Sequence, residues 1–156
     1  MPQPIREAAH PALSLTALIV GLLLLVPAWA AAADRTLKID TRHVTDVQFM
    51  PDEISGMLED LGYHWVPVHD PAVGRGVKMA EQQGQYRMQF EADDAPGILV
   101  EVHIRSTNGV TGLHFRHSGS ETPAATAAEL FRKLKERAEL EFGADNVSET
   151  HSFFTP

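Results

Sequence analysis

Residues 98–116 read ILVEVHIRSTNGVTGLHFR, two runs of alternating apolar and polar residues joined at Asn108-Gly109. A period of two is typical of a strand with one buried face, and Asn-Gly is the preferred pair for a two-residue hairpin turn. Counting outward from that turn fixes which residues lie opposite each other. The predicted apolar pairs are Val102 with Phe115 and Ile104 with Leu113.

The other face of this hairpin carries the most chemistry. In the predicted register His103 lies directly opposite His114, with Cβ atoms about 4.5–5.5 Å apart, and Glu101 lies opposite Arg116. Two imidazoles at this distance can share one ion, and Glu101 is the nearest candidate for a third ligand. The candidate metal ligands are therefore His103, His114 and Glu101, for zinc or copper. The alternative is an ordinary solvated sheet face, on which His, Glu and Arg are common.

A second hairpin is predicted at Gln83-Gly84. Two of its methionines face each other in the predicted register, as thioether ligands of copper do. Both fall on the apolar face, so core packing explains them better. The predicted pairs are Met79 with Met88, Val77 with Phe90, and Lys78 with Gln89 on the other face.

Two segments have the period of an amphipathic helix. The first begins at Pro51, since proline suits the first helical turn, and ends at Gly62. The second runs from about Pro123 to Phe142, with Thr122 as its expected cap. The predicted buried stripes are Ile54, Met57, Leu58 and Leu61 in the first helix and Ala127, Leu130, Phe131, Leu134, Ala138 and Phe142 in the second.

Two less regular segments flank these elements. Residues 34–49 alternate imperfectly and predict either a first strand or an extended lead-in, while the tail 146–156 could add an edge strand through Val147 and Phe153. The expected fold is α+β, a two-layer sandwich in which an antiparallel sheet of four to five strands has two helices packed on one face. Residues 34–156 contain no repeat or linker and are expected to form a single globular domain.

The first 33 residues have the composition of a cleavable Sec-type signal peptide. Arg6 supplies positive charge, residues 13–26 form an apolar core, and small residues follow Pro27, so cleavage is expected after Ala30 or Ala33. The alternative is an uncleaved anchor over residues 17–33, at the lower limit for a spanning helix. Cleavage predicts a periplasmic or secreted protein with no stable membrane insertion.

Composition excludes several classes of function. The chain has no cysteine, which rules out thiol catalysis, disulfide exchange and thiolate metal sites. Its formal net charge is −8 at pH 7, and no Lys/Arg cluster interrupts this acidity, so nucleic acid is not an expected partner.

Motifs for familiar catalysis are missing from the sequence. Residues 117–121 contain His, Ser and Glu but lack the nucleophile elbow, and there is neither a glycine-rich phosphate loop nor a His-Glu-x-x-His helix. His69 precedes Asp70, which could orient its imidazole, but Asp70-Pro71 more simply indicates a turn. No catalytic residue is therefore predicted.

Three functional hypotheses follow from these patterns. The first is a small exported domain without catalytic function that binds an unidentified protein or small molecule. The second is a periplasmic metal-binding protein that uses His103 and His114. The third is a carrier of a small hydrophobic ligand, held in a cavity between the sheet and the helices.

Overall fold

The computed structural model describes residues 34–42, 49–105 and 109–150. Within them the chain is α+β, with seven strands in one sheet, a separate two-stranded ribbon and two helices. Neighbouring strands are antiparallel throughout these residues. The strands are β1 (Arg35–Asp40), β2 (Tyr63–Val66), β3 (Val68–Asp70), β4 (Arg75–Val77), β5 (Ala80–Gln82), β6 (Gln85–Ala92), β7 (Ile98–Arg105), β8 (Val110–His117) and β9 (Val147–Thr150), and the helices are α1 (Met50–Asp60) and α2 (Ala124–Phe142).

The main sheet has the order β2-β6-β7-β8-β1-β9, and β5 also pairs with β6. The prediction of four to five strands was therefore too low. Two of the additional strands come from distant parts of the chain: β1 lies between β8 and β9, and β2 pairs with the second half of β6. Alternation within a segment shows that it is extended but not which segment lies beside it.

One hydrophobic core contains the inward side chains of the sheet and the buried stripes of both helices. Along β7 the burial alternates strictly, with Ile98, Val100, Val102 and Ile104 buried. The helices contribute the side chains that the 3.6-residue period predicted. Fully buried members of this core include Leu37, Ile54, Leu58, Phe90, Val100, Leu113, Phe131 and Leu134.

The hairpin between β7 and β8 has a different register from the predicted one. Arg105 pairs with Val110, so the connection spans residues 106–109 rather than a two-residue Asn-Gly turn. Val102 consequently pairs with Leu113, two positions away from the predicted partner. A shift of two keeps every side chain on its predicted face, because strand side chains alternate with a period of two. Residues 106–108, which include Asn108, lie outside the described residues.

The hairpin at Gln83-Gly84 has the predicted register close to its turn, where Gln82 pairs with Gln85. Both turn residues have positive φ, 53° and 71°, as a tight two-residue turn requires. The predicted pairs farther from the turn are wrong. β5 begins only at Ala80, and β2 pairs with the second half of β6 instead. The observed pairs are Trp65 with Phe90, Val66 with Gln89, and Val77 with Val68 in the ribbon.

Both helices are confirmed, with one change at a terminus. The turn after α1 uses Gly62 at φ 81°, a conformation that favours glycine. The predicted cap of the second helix is wrong: Thr122 Oγ1 donates to the Pro96 carbonyl at 2.9 Å, and Pro123 is the residue before the first turn. Thr122 thus ties the start of α2 to the loop before β7.

The chain continues beyond the described residues at both ends. Of the segment 34–49, residues 35–40 form a strand, which confirms the first of the two predicted options, whereas Val44 and Val47 lie outside the described residues. The edge strand through Val147 is present as β9. The predicted leader, residues 1–33, and the tail beyond Thr150 with Phe153 also lie outside the described residues. No helix within 34–42, 49–105 and 109–150 is long and apolar enough to cross a membrane.

Candidate functional site

A polar groove of about 550 Å³ crosses β5 to β8 on the face that points away from the core. We call it the outer groove. It is open to solvent, and its walls bring together both signs of charge, two amides and two imidazoles. The residues that line it are Asp34, Gln82, Gln85, Arg87, Glu101, His103, His114 and Arg116.

The two histidines meet in this groove, but not as directly opposed partners. His103 pairs with Gly112, and Glu101 pairs with His114, so the predicted pairs of His103 with His114 and of Glu101 with Arg116 are wrong. The imidazoles lie on the diagonal, with ring centroids 5.3 Å apart and planes at 85°. Because the register is shifted by an even number, the rings still share a face and touch edge to face.

Glu101 is the best-held charge in the groove. Its Oε1 accepts a hydrogen bond from Arg116 Nη1 at 2.8 Å, and its Oε2 lies 3.8 Å from His103 Nε2. The interaction with His103, followed by that with Arg116, lowers the pKa of the Glu101 carboxyl to about 2, against the opposing effect of its partial burial. Glu101 is therefore ionised at neutral pH, and its charge is already compensated by protein groups.

His114 is held from the neighbouring strand. Its Nδ1 lies 2.8 Å from Thr36 Oγ1, and β1 brings Thr36 directly opposite it. Burial, followed by repulsion from His103, lowers the pKa of His114 below the ordinary histidine value, which favours the neutral ring. The sequence offered no signal for Thr36, because its contact depends on β1 lying beside β8.

Arg87 differs from the other charged residues of the groove. It lies directly opposite His103 on β6 and is exposed, and its side chain makes no ion pair or hydrogen bond with a described residue. By contrast, Arg116 is engaged with Glu101. The guanidinium of Arg87 therefore presents its donors to the groove, in a planar array that matches a carboxylate or phosphate.

The candidate metal ligands Glu101, His103 and His114 lie in one groove, yet they do not form a ligand set. No group of three or more His, Asp or Glu side chains in the described part of the chain is arranged to hold a metal ion. Glu101 in particular is directed to Arg116, which competes for the carboxylate oxygen that a cation would use. Binding of zinc or copper by the two imidazoles remains a prediction.

The other described histidines, His64, His69 and His117, do not line the outer groove. His64 Nδ1 contacts Asp93 Oδ1 at 2.6 Å on an exposed edge, a pair that the sequence did not predict because 29 positions separate its members. His117 Nε2 lies 2.8 Å from the Thr122 carbonyl and helps to fix the approach to α2.

The segment after His69 is a turn, as the Asp-Pro sequence indicated. Asp70 Oδ1 accepts a hydrogen bond from the Ala72 amide at 2.8 Å, and the Asp70 carbonyl accepts another from the Gly74 amide at 2.8 Å. The Asp70 side chain thus stabilises the loop of the ribbon. The predicted Met79–Met88 strand pair is not formed, because β5 begins at Ala80: Met88 is buried, and Met79, which precedes the strand, is 40 % exposed.

The outer groove brings four charged side chains and two imidazoles together within the described part of the chain. Its arginines and imidazoles can donate hydrogen bonds to an anion, and its amides can orient one. No protein-family model, no curated protein and no solved structure matches this chain, so the functional argument rests on this geometry.

Proposed function

We propose that this protein is a non-catalytic binding module that takes a small carboxylate-bearing ligand in the outer groove. The observation that carries the proposal is the exposed guanidinium of Arg87, which lies opposite His103 and has no anionic partner among the described residues. Arginine binds carboxylates through two parallel hydrogen bonds, which gives both affinity and orientation. A volume of about 550 Å³ lies within the usual range for small-ligand sites.

The carboxylates of the outer groove are directed to groups other than Arg87. The Glu101 carboxylate is paired with Arg116, and its other oxygen lies 3.8 Å from His103 Nε2. Of the remaining lining residues, Asp34 is drawn toward Arg116, at 3.9 Å. Arg87 is therefore the guanidinium of the groove that has no carboxylate within ion-pair distance among the described residues.

The rest of the proposal concerns where this groove works. We take the leader of residues 1–33 as a Sec-type signal, so that the module acts in the periplasm or outside the cell. We also take the two helices as one layer of a two-layer sandwich, which leaves the opposite face of the sheet uncovered. An uncovered sheet face with convergent polar groups suits capture of a small molecule or of an acidic chain end.

Isothermal titration calorimetry with succinate and with glutamate, at constant ionic strength, tests this proposal. We expect saturable binding that weakens by about 10-fold to 100-fold in Arg87→Gln, because a charge-assisted hydrogen bond contributes about 1.5–3 kcal/mol. The matched control is Arg75→Gln, which removes an exposed arginine from the ribbon outside the groove. If neither probe binds, or if Arg75→Gln weakens binding as much as Arg87→Gln, the proposal is wrong.

Metal binding is the second candidate function, and the edge-to-face contact of His103 and His114 at 5.3 Å favours it. Two imidazoles this close can bind one ion after a modest rotation of their rings, with water or a ligand carboxylate completing the coordination. Titration with zinc and with copper should show one site whose affinity falls at least tenfold in His103→Ala. Equal binding by the native protein and this variant would exclude the pair as ligands.

A further inference from the structure

A second groove, of about 470 Å³, lies between α1 and the segment that leads into β5. We call it the α1 groove. One wall is a single face of the helix, formed by residues spaced at i, i+3, i+4 and i+7. The other wall comes from the chain just before β5, and Met88 of β6 reaches the groove from the sheet. Its lining residues are Pro51, Asp52, Ser55, Gly56, Glu59, Lys78, Met79 and Met88.

Gly56 opens this groove at its middle. A glycine in a helix interior is less favourable than alanine by about 0.8–1.0 kcal/mol, so its presence usually answers a packing need. Here no heavy atom lies within 4 Å of the position that a Cβ would occupy. No tertiary contact of the described chain therefore requires glycine, and the empty position leaves room for a ligand against the helix.

The apolar part of the groove is formed by methionine side chains and is partly open to water. Ser55 Oγ lies 3.7 Å from Met88 Sδ, which places the thioether of Met88 at the floor. Met79 is 40 % exposed, and so is Trp65, whose ring centroid lies 5.8 Å from Lys78 Nζ. Methionines adapt their shape to irregular ligands, because the side chain is unbranched and polarizable.

The ends of the groove are acidic. Neither Asp52 nor Glu59 makes an ion pair with a described residue, and the groove is lined by these two carboxylates and one ammonium, that of Lys78. Asp52 suits the first turn of α1, where the helix dipole favours negative charge. Glu59 lies in the last turn, where the dipole disfavours it and no basic residue compensates it. Helix stability thus does not explain Glu59.

We propose that the α1 groove binds an amphipathic cation: an apolar chain that lies along Gly56, Met79 and Met88 and an ammonium group that pairs with Glu59 or Asp52. The volume suits a small molecule, and the free carboxylates select its charge. This site is separate from the outer groove and takes a ligand of opposite charge.

Methionine methyl NMR with decyltrimethylammonium and decyl sulfate, both below their micelle concentrations, tests the site directly. We expect the cation to shift the Met79 and Met88 methyl signals in a saturable way and to leave Met50 unchanged, because Met50 is fully buried and does not line the groove. Decyl sulfate should bind at this site at least threefold more weakly. Equal shifts by both amphiphiles, or shifts spread over all methionines, would overturn the proposal.

Two variants separate ligand binding from folding. Gly56→Leu fills the groove while it improves helix propensity, so the melting temperature should rise or stay constant while the Met79 shift is lost. Glu59→Gln should weaken cation binding by about twofold to fivefold, as expected for an exposed ion pair, and Glu53→Gln on another face of α1 should not. If Gly56→Leu binds the cation as the native protein does, the groove is not the site.

Discussion

At the scale of single residues, buried hydroxyl groups differ in their hydrogen bonding. Thr36 Oγ1 is satisfied by His114, whereas the hydroxyls of Tyr63 and Thr111 are buried without a hydrogen-bond partner among the described residues. Burial also raises the pKa of Tyr63 to about 12, so this phenol stays neutral over the ordinary pH range. A buried polar group without a partner is destabilising relative to an apolar group of the same shape.

We therefore predict that Tyr63→Phe leaves stability unchanged or raises it by about 0.5–1 kcal/mol, because it removes an unsatisfied hydroxyl without leaving a cavity. Thr36→Val removes a satisfied hydroxyl of similar size and should lower stability by about 1 kcal/mol. Urea unfolding monitored by circular dichroism measures both. Loss of more than 1 kcal/mol in Tyr63→Phe would show that the phenol is hydrogen-bonded in the folded protein.

The Glu101 carboxylate makes the free energy of unfolding depend on pH. Its pKa of about 2 in the folded protein lies below its ordinary value of 4.5, so its contribution is complete above about pH 4.5 and is lost as the pH falls toward 2. We expect this contribution to be on the order of 1–2 kcal/mol after allowance for solvent screening. The difference in unfolding free energy between the native protein and Glu101→Gln should shrink over that range, and a constant difference would contradict the assigned ion pairs.

At the scale of elements, helices and strand faces could be predicted from the sequence, whereas the strand register could not. The stripe of α2, with Phe131 and Leu134, follows from the 3.6-residue period alone. The register of β7 and β8 depends on the loop between them, and an Asn-Gly pair does not exclude a connection of four residues. The prediction of the face on which His103 lies is therefore confirmed, whereas the prediction of its cross-strand partner is wrong.

The start of β7 offers a sharp test at this scale. Gly97 has φ 80°, and a Cβ at this position would lie 2.0 Å from the Ser118 carbonyl oxygen, in the pair where the Ser118 amide donates to the Gly97 carbonyl. Gly97→Ala should therefore cost more than about 2 kcal/mol, because it adds a backbone clash to the strain of positive φ. Gly119→Ala is the matched control: φ is 83°, but no heavy atom lies within 4 Å. Similar losses of thermal stability in the two variants would contradict the close approach of Gly97 to Ser118.

At the scale of the whole molecule, the order of the strands determines which side chains form the outer groove. β1 is the first described strand, yet it lies between β8 and β9, so Thr36 and Asp34 meet residues some 80 positions later in the chain. Local patterns contain no information on such pairings, because they measure only the periodicity of one segment. This is why the two histidines and Glu101 could be predicted to share one face of the sheet, whereas the contact of His114 with Thr36 could not.

The packing of α2 over the core predicts a contrast between two leucines of the same helix. Leu134 is fully buried, and Leu140 is 76 % exposed. Leu134→Ala should cost about 2–5 kcal/mol, whereas Leu140→Ala should change stability by less than about 0.5 kcal/mol. Guanidinium unfolding of the two variants measures the contrast, and comparable losses would show that α2 contacts the sheet through a different face.

The central claim, that the outer groove binds a carboxylate at Arg87, is tested most directly by imidazole NMR during a succinate titration at fixed ionic strength. We predict saturable shifts of the His103 and His114 ring signals, with no such change for His64, which contacts Asp93 and does not line the groove, and loss of the shifts in Arg87→Gln. Ring signals that do not move, or that move equally when sodium chloride replaces succinate, would contradict the claim.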